Sequence, residues 1–420
     1  MEKRNLSRLL TISLVFLSSW NLLLSQDKYS LEKIVDLYKQ NNIALKINRM
    51  EIDNAVSRKK IAGAWDNPSV RYTQEGINKG AQENPINGRE FQLVLEQTIP
   101  LSGRKGLKSK QAEQDIHIVS KEYQQIFWHG LSYIKALFYE IQSLVNTLDI
   151  LEKMRMKLEE LNIIIIENYE RGEASGINTA RIAVILKDID IEKYYAEISL
   201  DLKKRELLTL LDLSYAPSQM VFDEPYYHYV ITEEKEHLSA SMIENNPQIQ
   251  ILIDSQKKEE IRLSLEKRKN IPDLIAAGGY KKEDFFDTYA FSFSLNIPIF
   301  NQHRGEIEVA KNNLRMNELR QKLQLKELLE IFEREHSKYL KSNELIQLFK
   351  ARYLREADKL ENATLAAYKG GEVTMLVLVD ALQSVLKTRL EYIDLILKNN
   401  VAVFNIEKMV SREIELEKIQ

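Results

Sequence analysis

The chain has 420 residues, no cysteine, 29% charged residues and a formal net charge of −3. Without cysteine there is no disulfide framework, no thiolate metal site and no residue to carry a lipid at an N-terminal cleavage point. The near-balanced charge excludes a polybasic surface of the kind that binds nucleic acid. Only 14 Gly and 8 Pro in this length point to few loops and long helices.

Residues 1–25 read as a secretory signal peptide. Lys3, Arg4 and Arg8 give a basic start, an apolar run follows to Leu24, and small Ser25 precedes a polar segment. Ser18, Ser19 and Asn21 interrupt that run, which leaves it short of the roughly 18–20 apolar residues a membrane anchor needs. A helix over 30–65 follows. Val70–Ile77 and Phe91–Ile99 then alternate apolar and polar residues, as strands with one dry and one wet side do. They form a first β-hairpin within 68–101, joined by the polar stretch 78–89.

From 103 to 168 apolar residues step by three and four, through Ile116, Tyr123, Gly130, Leu137, Leu144, Leu151, Leu158 and Ile165. This is one seam on an uninterrupted helix of about 100 Å at 1.5 Å per residue. A helix over 178–213 and a linker over 215–234 follow. Helices over 235–270, 303–368 and 374–416 complete the chain, with a second hairpin within 272–299 built from Leu274–Lys281 and Phe291–Ile299. On the last helix Leu382, Val385, Arg389, Tyr392, Ile396, Asn399, Val403 and Ile406 form a mixed stripe, expected to set one face on a neighbour and another on water.

The chain repeats itself about 200 residues on. Tyr169-Glu-Arg-Gly172-Glu-Ala-Ser175 returns as Tyr368-Lys-Gly-Gly371-Glu-Val-Thr374, Asn41-Asn42 as Asn245-Asn246, and Thr98-Ile-Pro-Leu101 as Asn296-Ile-Pro-Ile299. Three echoes in one order indicate two tandem copies, 26–214 and 235–420. The fold class is therefore mainly α with a small β part: long coiled-coil helices in two repeats, each with a hairpin. Strands of about ten residues can cross a bilayer when tilted, but four cannot close a barrel, and an open edge cannot face lipid. Either several chains share one barrel or the protein is soluble, with two small sheets on helical stalks.

The order helix, hairpin, long helix, Tyr-x-x-Gly turn, helix, occurring twice over residues 30–416, resembles the TolC-like outer membrane efflux proteins. Asn67-Pro68 and Gln97-x-x-Pro100-Leu-x-Gly103-Arg104 look like that family's strand-to-helix corner. Tyr368-x-x-Gly371 with Leu378-Val-Asp380-Ala-Leu-Gln383, Arg389 and Tyr392 looks like its C-terminal signature. The resemblance implies a homotrimer: a 12-stranded β-barrel in outer membrane lipid, continued through the periplasm by an α-helical barrel. That barrel would dock on a periplasmic adaptor and an inner-membrane pump of the RND or ABC type, in a Gram-negative bacterium.

Gly172 and Gly371 stand where a helix must reverse, and glycine takes the left-handed C-cap conformation with little strain. Gly172, Glu173, Ala174 and Ser175, with Gly371, Glu372, Val373 and Thr374, are then the periplasmic tips that the resemblance sets against the adaptor. They also read simply as two helix turns. The resemblance further implies a latch and constriction at Asn178, Tyr368, Val377 and Asp380. Val373 stands at the family's Arg position, Val377 at its first Asp and Asn178 at the Asp that accepts the Tyr hydroxyl. A neutral Tyr368–Asn178 hydrogen bond of about 1 kcal/mol is the remaining polar link, and closure is expected to rest on apolar contacts around Val373 and Val377.

The six histidines show no metal-site spacing, and Gly278-Gly279 lies in a strand rather than a phosphate loop. No catalytic residue and no cofactor is expected. The function expected is a passive exit duct of a tripartite efflux pump; the alternatives are the duct of a type I secretion system and a periplasmic coiled-coil scaffold without a pore.

Overall fold

The computed structural model describes residues 27–75, 90–171, 175–214, 216–222, 224–283 and 286–419. The expected signal peptide 1–25 and tip residues Gly172, Glu173 and Ala174 lie outside them. In chain order the elements are β1 (Asp27–Lys28), α1 (Leu31–Asn41), α2 (Ile43–Gly63), β2 (Ser69–Glu75), β3 (Glu90–Ile99), α3 (Arg104–Glu170) and α4 (Gly176–Leu210). A 3-10 turn (Pro217–Gln219), β4 (Met220–Val221), β5 (His228–Ile231), α5 (Lys235–Asn245), α6 (Pro247–Arg268), β6 (Leu274–Lys282) and β7 (Asp287–Leu295) follow. The chain ends with α7 (Arg304–Leu348), a π turn (Phe349–Tyr353), α8 (Leu354–Lys369), α9 (Met375–Val410) and β8 (Leu416–Ile419).

Two compact units emerge. One comprises residues 1–46, 126–242 and 329–420; the other comprises 47–125 and 243–328. The second unit holds a four-stranded antiparallel sheet of order β2-β3-β6-β7. The two hairpins therefore join in a single sheet, through nine residue pairs from Phe91↔Lys282 to Ile99↔Leu274.

The expected strand through Ile299 stops four residues early. The last pair of β6 with β7 is Leu274↔Leu295, because β6 begins two residues after Pro272. Asn296-Ile-Pro-Ile299 thus has no strand to pair with, whereas its echo in β3 is paired by β6 up to Ile99. The corner after β3 is fixed by Gly103, at φ +67°, and by Arg268, whose Nη1 donates to the Ser102 carbonyl at 2.9 Å. The Arg104 guanidinium pairs with the Asp273 carboxylate across the same corner.

The helices expected over 30–65 and 235–270 are each broken in two. Asn42 sits extended between α1 and α2, its Oδ1 accepting from the Leu45 N–H at 3.1 Å while its Nδ2 donates to the Leu210 carbonyl at 2.9 Å. Asn246 likewise caps α6, its Oδ1 accepting from the Gln248 N–H at 2.9 Å, with Pro247 at the first helical position. The duplicated Asn pair therefore marks a break inside a helical stretch. The long second helix, expected to run unbroken over 303–368, contains the π turn. There Phe349 and Tyr353 meet edge to face at 5.1 Å, and Phe349 stacks on Tyr392 of α9.

The first unit's core follows the expected seam of α3: Leu137, Ile141, Leu151, Met154, Leu158, Leu161 and Ile165 are all buried. Gly130 in that seam is required by close approach, since a Cβ there would lie 2.0 Å from the Tyr38 hydroxyl. At one end an aromatic cluster of Phe138, Tyr139, Phe222, Tyr226, Tyr229 and Phe404 packs beneath β5, which pairs with β8. Within the α9 stripe Asn399 does not face water as expected, and neither does its neighbour Asn400. Asn399 and Asn400 are fully buried and clamp β5: Asn400 accepts from the Tyr229 N–H at 3.0 Å and donates to the Tyr227 carbonyl, and Asn399 donates to the Tyr229 carbonyl. An extended segment crossing a helix leaves backbone groups on that side in need of side-chain partners, here the two amides and, at the Ile231 N–H, the Tyr339 hydroxyl at 2.9 Å.

Candidate functional site: the helical tips and the two-faced sheet

At one end of the first unit α3 ends and α4 begins, and the α8–α9 turn stands beside them. At the second turn the Glu372 N–H donates to the Ala367 carbonyl at 2.8 Å and the Gly371 N–H to the Tyr368 carbonyl at 3.1 Å. That paired pattern, with Gly371 at φ +75°, is a Schellman cap, so the left-handed glycine expected at 371 is observed. Thr374 precedes α9 without a side-chain cap. Ser175 does cap α4, its Oγ accepting from the Ile177 N–H at 3.3 Å.

Above the turns, α3, α4, α8 and α9 share one apolar core that includes Leu158, Leu161, Ile165, Ile182, Ile185, Met375, Leu378 and Leu382. Tyr368 packs against it, half-buried, and that burial raises its phenol above the ordinary value. Among the described residues no hydrogen bond joins Tyr368 to Asn178, which is also half-buried. Val373 is half-buried, while Val377 and Asp380 are exposed on α9. The four expected latch and constriction residues therefore lie on one end of the bundle without contacting one another in a polar network.

A charged strap stands where sequence reasoning had only a lone Arg389. The Glu361 carboxylate of α8, 3% exposed, is gripped by Lys157 of α3 and by Arg389 of α9, whose Nη2 lies 2.6 Å from Glu361 Oε2. Arg389 also reaches Asp358 at 2.8 Å. Two exposed-side bridges, Arg155–Asp190 at 2.8 Å and Lys193–Glu152 at 2.6 Å, tie α3 to α4. The only sequence signal for this strap was a cation inside an apolar stripe.

The sheet has two chemically distinct faces, set by register. Val70, Tyr72, Leu93, Leu95, Tyr280, Tyr289, Phe291, Phe293 and Leu295 fall on one face; Arg71, Gln92, Glu96, Lys281, Thr288, Ser292 and Ser294 fall on the other. The apolar face is uncovered in the single chain, with Phe291 81% exposed. Near the hairpin turns Tyr72, Phe91, Tyr280 and Tyr289 form an aromatic row, with successive centroids 5.4–6.2 Å apart. Among the described residues β2 and β7 each pair on one side only, and β2 runs antiparallel to β7. Among the described residues no group of three or more His, Asp or Glu converges as a metal site. No described helix is long and apolar enough to cross a membrane.

No protein-family model matches the sequence, and no curated protein matches it. Solved structures do. A membrane protein from Pseudomonas aeruginosa superposes with a TM-score of 0.79 at 14% identity, over 90% of this chain and 93% of that one. The outer membrane protein VceC from Vibrio cholerae gives 0.76 at 14% identity, over 92% and 97%. The Campylobacter jejuni CmeC outer membrane channel gives 0.75 at 14% identity, over 92% and 86%. At this identity the likeness is one of fold, and the chain has the fold of these three proteins along nearly its whole length.

Proposed function

We propose that the protein is a passive exit duct of the bacterial outer membrane, closed by three copies and serving a tripartite efflux pump. The observation that carries this is the open, two-faced sheet. Its uncovered apolar face with an aromatic row suits lipid, while its polar face suits a water-filled lumen. Its free edges cannot stand in hydrocarbon unpaired. Because β7 of one copy and β2 of the next would also run antiparallel, copies can join edge to edge without breaking the pattern, and three copies make a ring of about twelve strands. The likeness to outer membrane channels supports the same reading.

In this arrangement the helical tips, Ser175 and Gly371 to Thr374 with residues 172–174, face a periplasmic adaptor linked to an RND or ABC pump in the inner membrane. Asn178, Tyr368, Val377 and Asp380 line the narrow end. The chain supplies no energy step, so specificity and drive belong to the pump. A type I secretion duct shares every one of these features, and the chemistry of the neighbouring pump distinguishes the two.

The test is reconstitution of the purified protein. Detergent-resistant trimers that conduct in planar bilayers are expected. A water-soluble monomer without conductance overturns the duct in favour of a periplasmic scaffold.

A further inference from the structure

Between α4 and α9, just above the tips, lies a cleft of about 570 Å³. Its floor is apolar: Met154 and Leu158 of α3, Ile185 and Ile189 of α4, and Val379 and Leu382 of α9, all buried. Its rim carries three carboxylates, Asp188, Glu192 and Glu391, against one ammonium, Lys387. Lys387 is already held by Glu391 at 3.9 Å. Asp188 and Glu192 stand one helical turn apart on α4, and among the described residues neither meets a cation within ion-pairing distance. Toward the tips the cleft continues past Val184 and Gln383 to Arg181 and Asp380.

We propose that this cleft is a binding site for an amphipathic monocation: a flat apolar body of drug size carrying one delocalised or quaternary positive charge. The volume lies in the range of small-molecule pockets, and the lining has their composition, a mostly apolar wall with a few polar groups at the mouth. The net negative rim selects the sign of the ligand's charge. The apolar body covers Leu382 and Ile189, and the cation sits between Asp188 and Glu192, whose two exposed carboxylates one turn apart attract it together. At the far end Arg181 and Asp380 offset each other, so the net negative charge lies at Asp188 and Glu192. A ligand held there bridges α4 and α9.

The pair rhodamine 6G and fluorescein tests this, since both have a xanthene body of similar size but opposite charge. Fluorescence anisotropy is read with the protein in nanodiscs of zwitterionic phosphatidylcholine, with empty discs as the blank. Rhodamine 6G is expected to bind saturably, at least about tenfold more tightly than fluorescein. The double variant Asp188→Asn/Glu192→Gln, altered only at exposed rim positions, is expected to weaken rhodamine 6G about tenfold while leaving fluorescein unchanged. Gln383→Trp, which fills the mouth from an exposed position, is expected to weaken both. No saturable binding above empty discs overturns the proposal, as does rhodamine binding that the rim variant leaves intact; a cleft covered by a second copy or by a partner helix gives the first of these results. Conductance of the same preparation is measured separately, so failure here leaves the duct reading standing.

Discussion

Arg389 of α9 donates to the buried Glu361 of α8 at 2.6 Å, and the same carboxylate takes Lys157 of α3 on its other oxygen. Three helices are thereby fastened through one anion that water does not reach. Removing it takes that partner from Lys157 and leaves Arg389 only the exposed Asp358, beside an apolar core. Breaking a buried ionic group from one side costs about 3 kcal/mol, and here the half-exposed Lys157 can rehydrate, which keeps the figure from going higher. Glu361→Ala is expected to lower the unfolding midpoint by roughly 4 °C, and Glu361→Gln by less, since the amide keeps one acceptor oxygen. Asp358→Ala removes only an exposed partner, and its melting curve is expected to overlay the wild type within about 2 °C.

Gly371 holds φ +75° with nothing within 4 Å of where a Cβ would stand. The cost of a side chain there is therefore backbone strain alone. Gly371→Ala is expected to destabilise by about 1–2 kcal/mol, and Gly371→Asn by distinctly less, because asparagine tolerates this conformation. Denaturant unfolding of the three proteins gives the ranking; equal midpoints for Ala and Asn would show that the turn relaxes instead.

Glu233 accepts from Arg412 Nη1 at 2.9 Å and from the Glu415 N–H at 2.9 Å, which ties the start of α5 to the C-terminal segment. The Arg412 guanidinium holds its carboxyl down at about 2, against an ordinary 4.5. A depressed carboxyl stabilises the fold fully above its unfolded value, and that contribution is lost as pH falls from about 4.5 through about 2. It amounts to at most about 3 kcal/mol. Glu233→Gln is expected to be less stable than wild type near neutral pH and to converge with it near pH 2, a difference that urea titrations at several pH values read directly. A constant gap across that range would assign the effect to packing.

Much of the fold was legible because long helices announce themselves by period. The α3 seam, the alternation of Phe91 to Ile99 and the left-handed Gly371 needed nothing beyond spacing and residue type. What escaped the sequence depended on long-range partners. Where β7 stops is decided by Pro272, just ahead of the neighbouring strand β6. Whether Asn42 caps or continues a helix depends on the Leu210 carbonyl, 168 residues away. Asn399 and Arg389 looked like water-facing residues because a stripe records that a position is polar, not whether its partner is solvent, a crossing strand or a buried carboxylate.

The buried Asn400 makes that distinction measurable. Its amide satisfies both the Tyr229 N–H and the Tyr227 carbonyl, at 3.0 and 2.8 Å. Asn400→Leu matches the volume but orphans both groups, at a cost of about 2–4 kcal/mol. Hydrogen exchange at the Tyr229 amide is expected to accelerate together with the loss of stability. Unchanged protection there would mean that β5 is held by its pairing with β8 alone.

Val377, 48% exposed on α9 and three residues before exposed Asp380, bears on how the narrow end is built. In the proposed trimer each copy presents this valine at the constriction, so an apolar ring stands beside a ring of Asp380 carboxylates. Val377→Asp adds three further carboxylates there and lets water and cations wet a ring that now repels them. Because Val377 contributes little to the buried core, the variant is expected to fold normally. Its single-channel current is expected to rise, with a preference for cations over anions stronger than that of the wild type. Added millimolar divalent cation should then block the variant more than the wild type, since paired carboxylates bind hard cations. Conductance and selectivity identical to wild type would remove Val377 from the constriction and leave the narrowing to residues elsewhere on the tips.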